Sequence, residues 1–170
     1  MRLSLFLPFL AGALLVSPVA YAAKLRVTTD QVIGLTRFLE EKPLDESAPG
    51  IRALLIDWED KSKDVVDYVC SGIFDPVPAD DVPNSSELLV QFIFGSAAHQ
   101  IANPSDKGSI VPGQLAGMRS MLKAYNAFLA ADPAARIPRF DELSQMDAAG
   151  TLPDYLAPIA IRQCGKGREA

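Results

Sequence analysis

The residue types able to carry out chemistry are few in this chain and widely spaced. The one histidine, His99, sits near the end of the apolar stretch 87–104, ELLVQFIFGSAAHQIANP. The two cysteines are Cys70 and Cys164, and acids gather at Asp57, Glu59 and Asp60 and again at Asp75, Asp80 and Asp81. Nucleophilic catalysis needs a Ser or Cys, a base and an orienting acid brought together. His99 is the only imidazole available as the base, no carboxylate lies one helical turn from it, and no Gly-x-Ser-x-Gly elbow occurs. A zinc site needs three or four His, Cys or carboxylate ligands, which here would have to be mainly carboxylates. The stretch around Asp75, Asp80 and Asp81 lacks the alternating ligands and central glycine of a calcium loop and reads as a solvated acidic loop. GSIVPG, residues 108–113, does not have the spacing of a phosphate-binding loop. Carboxylate-only catalysis, as in glycoside hydrolysis, is left open by counting acids. No pair stands out, since Asp57, Glu59 and Asp60 read as a solvated helix face. No catalytic residue, metal ligand or cofactor is therefore assigned.

The ends of the chain are more informative. MRLSLFLPFLAGALLVSPVAYA opens with Arg2, continues with an apolar stretch and closes on Ala20 and Ala22, the small-residue pattern of a cleavage site. That is the layout of a secretory signal peptide over residues 1–22, to be left out of the fold. A bilayer core needs about 20 apolar residues, and Pro8 and Pro18 interrupt this segment. Residues 23–170 then form a single exported domain, periplasmic or extracellular. Cleavage removes Arg2 and leaves a chain one charge more negative than the full chain's −5. Nucleic-acid affinity rests on clustered Lys and Arg, and no basic patch stands out here. No stretch after residue 23 is long and apolar enough to span a membrane. In an oxidising compartment Cys70 and Cys164 read as one disulfide. Closing the long loop between them contributes ~4–5 kcal/mol in the chain-entropy model. A redox pair is the alternative, but there is no Cys-x-x-Cys.

These residues must be positioned by short helices punctuated with proline, an all-α domain of antiparallel helix pairs, about six helices in number. TTDQVIGLTRFLEE has a capping box from Thr28 to Gln31, with Val32, Leu35 and Leu39 on one face. SAPGIRALLIDWEDKSK begins a second helix at Ser47 with Pro49 in its first turn. Ile51, Leu54, Leu55 and Trp58 fall on its inner side. Residues 62–83 are ambiguous between a short strand and a helical turn, and Pro76, Pro78 and Pro83 forbid long regular structure there. Asn84 and Glu87 read as a cap and its partner for the third helix. That helix is apolar nearly all round, which marks a central helix. Only the strip of Gln91, Gly95, Ala98 and Ala102 is small or polar, so a neighbouring backbone can approach there. After a loop hinged at Gly108, Leu115, Met118, Met121, Leu122, Tyr125, Phe128 and Leu129 make the apolar face of a fourth helix, with Arg119, Lys123 and Asn126 opposite. Pro138 opens a fifth helix stopped by Gly150, and Thr151 with Pro153 starts a sixth.

Segment 86–133 resembles a tetratricopeptide helix pair, with Phe94-Gly95 and Ala98 in its first helix and Tyr125, Phe128 and Pro133 at the repeat's spacing in its second. Phe128 stands where that repeat has alanine, and the connecting loop is longer. The mature chain also resembles a group of short, exported, all-helical bacterial proteins with no assigned activity. RALLIDWEDKSKDVVDYVC, SELLVQFIFGSAAHQIANP and QLAGMRSMLKAYNAFL carry that likeness. The resemblance implies a fold and a compartment and supplies no catalytic residues.

His99 thus reads as a core or helix-interface residue, with hydrogen bonding to Tyr68 or Tyr125 the form expected of any working role. Trp58, Met118 and Met121 read as core. The leading function is a non-enzymatic domain that binds another exported protein or peptide, or serves structurally. Its binding residues would be His99, Gln91, Tyr125, Arg119 and Asn126, with an exposed apolar stripe beside them. A carrier of a small apolar ligand or lipid is the alternative and needs a cavity beside Phe92, Met118 and Met121. A carboxylate-dependent hydrolase is the third reading and needs two facing acids in a cleft, one with a raised pKa.

Overall fold

Capping chemistry and proline set the helix starts. In the computed structural model, residues 27–70 and 72–164 are described; the expected signal segment, residues 1–22, lies outside them. Among the described residues six α-helices follow one another: α1 (Thr29–Glu41), α2 (Ala48–Glu59), α3 (Ser85–Ala102), α4 (Ile110–Ala131), α5 (Pro138–Ala148) and α6 (Leu152–Cys164). Short 3₁₀ turns, Pro104–Asp106 and Pro133–Ala135, follow α3 and α4. The all-α expectation therefore holds, and no strand occurs among the described residues.

The Thr28 capping box forms, with the Thr28 N–H donating to Gln31 Oε1 at 3.0 Å. Ahead of α2, Asp45 Oδ1 accepts from the Ser47 N–H at 2.9 Å and from its hydroxyl at 2.6 Å. The start of α3 departs from expectation. Asn84 adopts the left-handed conformation, φ 54°, and its side chain makes no capping bond. Asparagine tolerates this region better than most residues, so the side chain serves the turn into the helix and not the first-turn amides.

Helix α3 divides the interior. Leu88 and Phe92 join α4, α5, α6 and Ile73, Phe74 and Val77 in a large core. Phe94 faces the other way, into a smaller cluster with Val32, Leu39, Ala48 and Leu55 of α1 and α2. That split is why a helix apolar around its circumference is required. The most extensive helix contact is α3 with α4. A Cβ built on Gly117 would lie 2.7 Å from the Phe92 carbonyl oxygen, and one on Gly95 would lie 2.2 Å from Ser120 Cβ. As α4 runs from Gly113 to Ser120 its α3 neighbours run from Ser96 back to Gln91, so the two helices are antiparallel.

The ambiguous stretch after α2 is neither helix nor strand. Residues 65–70 run extended along α3 and α4, held by side-chain amides in place of a partner strand. Gln100 accepts from the Val66 N–H at 3.0 Å and donates to the Val66 carbonyl at 3.1 Å, and Gln114 donates to the Tyr68 carbonyl at 2.5 Å. At its end Cys70 is bonded to Cys164, with Cα atoms 5.6 Å apart. This disulfide, expected from the sequence, fastens the last helix to the first half of the chain.

Candidate functional site

A groove of about 510 Å³ lies where α1, α3 and α4 part. Helix α1 contributes Ile33, Arg37 and Glu40 along one wall, and α4 contributes Val111, Leu115, Arg119 and Lys123 along the other. Gly95, Ala98 and Ala102 of α3 leave the space between them open. The strip of small residues on α3 therefore does two things. Gly95 admits Ser120 of α4, and Ala98 and Ala102, further along, line the groove. Its size lies within the ~300–1,000 Å³ of small-ligand and side-chain pockets.

The floor is held by a polar bridge. Gln91 Nε2 donates to the Thr36 carbonyl at 3.2 Å and to Ser120 Oγ at 2.9 Å, joining all three helices. On the rim Lys123 Nζ donates to Glu40 Oε2 at 2.8 Å, and Arg119 Nε donates to Asp147 Oδ1 at 2.7 Å. Among the described residues Arg37 is exposed and has no ion pair.

His99 closes one end of the groove. Its Nε2 lies 2.8 Å from Asp106 Oδ2, and its Nδ1 lies 3.3 Å from Asn103 Nδ2. Tyr68 and Tyr125, the partners expected for it, are not the ones it meets. The Asn103-Pro104 break ends α3, and the 3₁₀ turn folds Asp106 back onto the helix, bringing a carboxylate seven residues away in sequence to the ring. Because Asn103 can donate only to an unprotonated nitrogen, the neutral tautomer has its proton on Nε2, directed at Asp106. Both nitrogens are then engaged in clipping the turn to the helix, and neither is left to accept a proton from a nucleophile.

Ser120 and Lys123 also have the Ser-x-x-Lys spacing of some acyl-transfer enzymes, a signal present in the sequence as Ser-Met-Leu-Lys. Both line the groove. Ser120 is 2% exposed and accepts from Gln91, while Lys123 is paired with Glu40. A lysine whose amine is held by Glu40 is not placed to act as a base for that hydroxyl.

The remaining expected binding residues separate. Gln91 is buried beneath the groove, and His99 and Arg119 line it. Asn126 is exposed on α4 beyond Lys123, outside the lining. Tyr125 points into the large core, 1% exposed, with its ring edge-on to Phe140. Its hydroxyl donates to Asp141 Oδ1 at 2.6 Å and accepts from the Ile137 N–H at 3.1 Å. Burial, and then the bond to Asp141, push the Tyr125 phenol up. The Tyr125 hydroxyl, helped by Arg136, holds the Asp141 carboxyl below the usual carboxylate range.

The acids of α2 correct an expectation. Asp60 is exposed, but Glu59 is not part of a solvated face. The extended segment 65–70 crosses the end of α2, so both Glu59 carboxyl oxygens and Asp67 Oδ1 are buried with no donor. Burial, reinforced by Asp67, pushes the Glu59 carboxyl up to about 9. These are two facing acids with one raised pKa, yet neither lines the groove. Phe92, Met118 and Met121, beside which an apolar carrier needs its cavity, are fully buried in the large core.

No protein family, curated protein or solved structure matches the chain. Among the described residues no helix is long and apolar enough to cross a membrane.

Proposed function

We propose that this chain is an exported, non-enzymatic binding domain and that a segment of a partner protein or peptide lies in the groove between α1, α3 and α4. The groove itself is the observation that carries this reading. It is open along its length, its walls carry aliphatic side chains, its rim is charged, and the Gln91 amide beneath it is already bonded within the protein. Such a surface offers contact area and no activated nucleophile or base. The tetratricopeptide-like spacing of α3 and α4 supports a helix-pair groove as the binding element. The signal-like N-terminus and the Cys70–Cys164 disulfide support export.

A photo-crosslinking amino acid placed at Ala102, which is exposed and lines the groove, tests the reading in the exporting cell. The control position is Ala134, exposed beyond the far end of α4. Light-dependent adducts to another protein are expected from position 102, are expected to disappear when Ala98→Trp fills the groove, and are not expected from 134. Equal adducts from both positions would remove the groove as the binding surface.

A further inference from the structure

The groove has a charge character opposite to that of the chain. The protein carries a formal −5, yet among the described residues the groove lining holds Arg37, Arg119 and Lys123 against one carboxylate, that of Glu40. The cations come from both walls, Arg37 from α1 and the other two from α4. Arg119 and Lys123 are steadied by Asp147 and Glu40, and their side chains remain 42% and 62% exposed, so their charge is still presented to the groove. Arg37 has no ion pair among the described residues, and a guanidinium matches a carboxylate with two parallel N–H···O bonds. A second observation points the same way. Thr36 borders the groove at 1% exposure, and its Oγ1 has no hydrogen-bond partner. A buried hydroxyl left unpaired carries an uncompensated desolvation penalty, and an acceptor on a bound ligand would relieve it. Beside these polar groups lie Ile33, Val111, Pro112 and Leu115, a hollow that a bare inorganic anion would leave unfilled.

We propose that the groove recognises an acidic peptide segment, with an Asp or Glu carboxylate held by Arg37 between the walls and a neighbouring aliphatic side chain seated among Ile33, Val111 and Leu115. The proposal rests on the peptide-groove reading above and adds the chemistry of the occupant. Charge complementarity selects this occupant over a neutral one. The carboxylate adds to a partly solvated cluster, so the interaction weakens as salt rises.

The test uses the full mature chain, labelled with ¹⁵N, and two capped peptides in which leucine alternates with glutamate or with glutamine. The glutamate peptide is expected to shift the amides of Arg37, Ala98 and Arg119 and to bind at least about tenfold more tightly than its glutamine counterpart. Arg37→Gln should erase that difference without changing the thermal unfolding curve. Equal binding of both peptides in the groove would overturn the acidic-segment inference while leaving the groove reading in place. Binding of neither would remove both. Dodecanoate, a free carboxylate on an alkyl chain, is the third probe. If it displaced the glutamate peptide and bound more tightly, the anion subsite would belong to a small amphiphile and the peptide assignment would fall.

Discussion

The two sides of α3 are built by different means. On one side, α4, α5 and α6 enclose a large core whose buried Tyr125 hydroxyl is fully engaged, and a disulfide closes it. On the other, four buried apolar side chains, Val32, Leu39, Ala48 and Leu55, hold α1 and α2 against Phe94, and the end of α2 buries the Glu59–Asp67 acids without a donor. Satisfied polar groups add little net cost, whereas an unpaired buried carboxyl pair costs stability and keeps a proton to lessen it. The smaller side is therefore the easier one to open, and it supplies the α1 wall of the groove. Binding elements are commonly drawn from the less stable parts of a fold. The single tryptophan, Trp58, packs on the smaller cluster and reports on it directly.

The largest effect should come from removing the covalent closure. Cys70→Ala with Cys164→Ala is expected to lose about 2–5 kcal/mol of stability, read from the urea midpoint of far-UV ellipticity. In the intact protein Trp58 emission should change at lower urea than ellipticity, and in the double variant the two transitions should draw together. Coincident transitions in the intact protein would show that the two sides form one cooperative unit.

A smaller loss tests the seam between the two sides. Ala in place of Gly inside a helix ordinarily gains about 1 kcal/mol. At Gly95 the new Cβ would lie 2.2 Å from Ser120 Cβ and 3.0 Å from the Ala116 carbonyl oxygen. Two helix backbones must separate, so Gly95→Ala should cost about 1–3 kcal/mol despite the propensity gain. A neutral or stabilising outcome in thermal unfolding would mean that α3 and α4 are not in such close contact.

The smallest effect has the opposite sign. Below pH about 4.5 Glu59 is protonated in the folded and unfolded chains alike. Between there and pH about 9 the unfolded chain releases the proton and the folded chain keeps it. Stability from this group is thus full at the acid end and falls as pH rises through the window. Glu59→Gln should flatten that fall and make the protein modestly more stable at pH 8, measured as the urea midpoint across pH. An unchanged slope would place Glu59 in water.

Much of the fold was legible because local signals agreed with it. The Thr28 capping box, Pro49, Pro138 and the positive-φ Gly150 lie where helices start or stop. The all-round apolar character of α3 anticipated its central position between two cores. Two residues of the expected site, Gln91 and Tyr125, stand out in the sequence by their polar groups, but both are buried and serve to join helices and to brace α5. Polarity on a helix does not reveal which neighbour will satisfy it.

Sequence alone determined the helical class, the cysteine pairing and the small strip on α3, because helix periodicity, a lone cysteine pair and side-chain size are local or combinatorial properties. Tertiary structure decided where the charges act. It brought Asp106 to His99 by a turn, Asp67 to Glu59 by an extended segment with no periodicity, and Arg37 of α1 into one groove with Arg119 and Lys123 of α4. Those meetings depend on how chain segments cross, and the energy that sets the crossing comes from apolar burial elsewhere in the molecule.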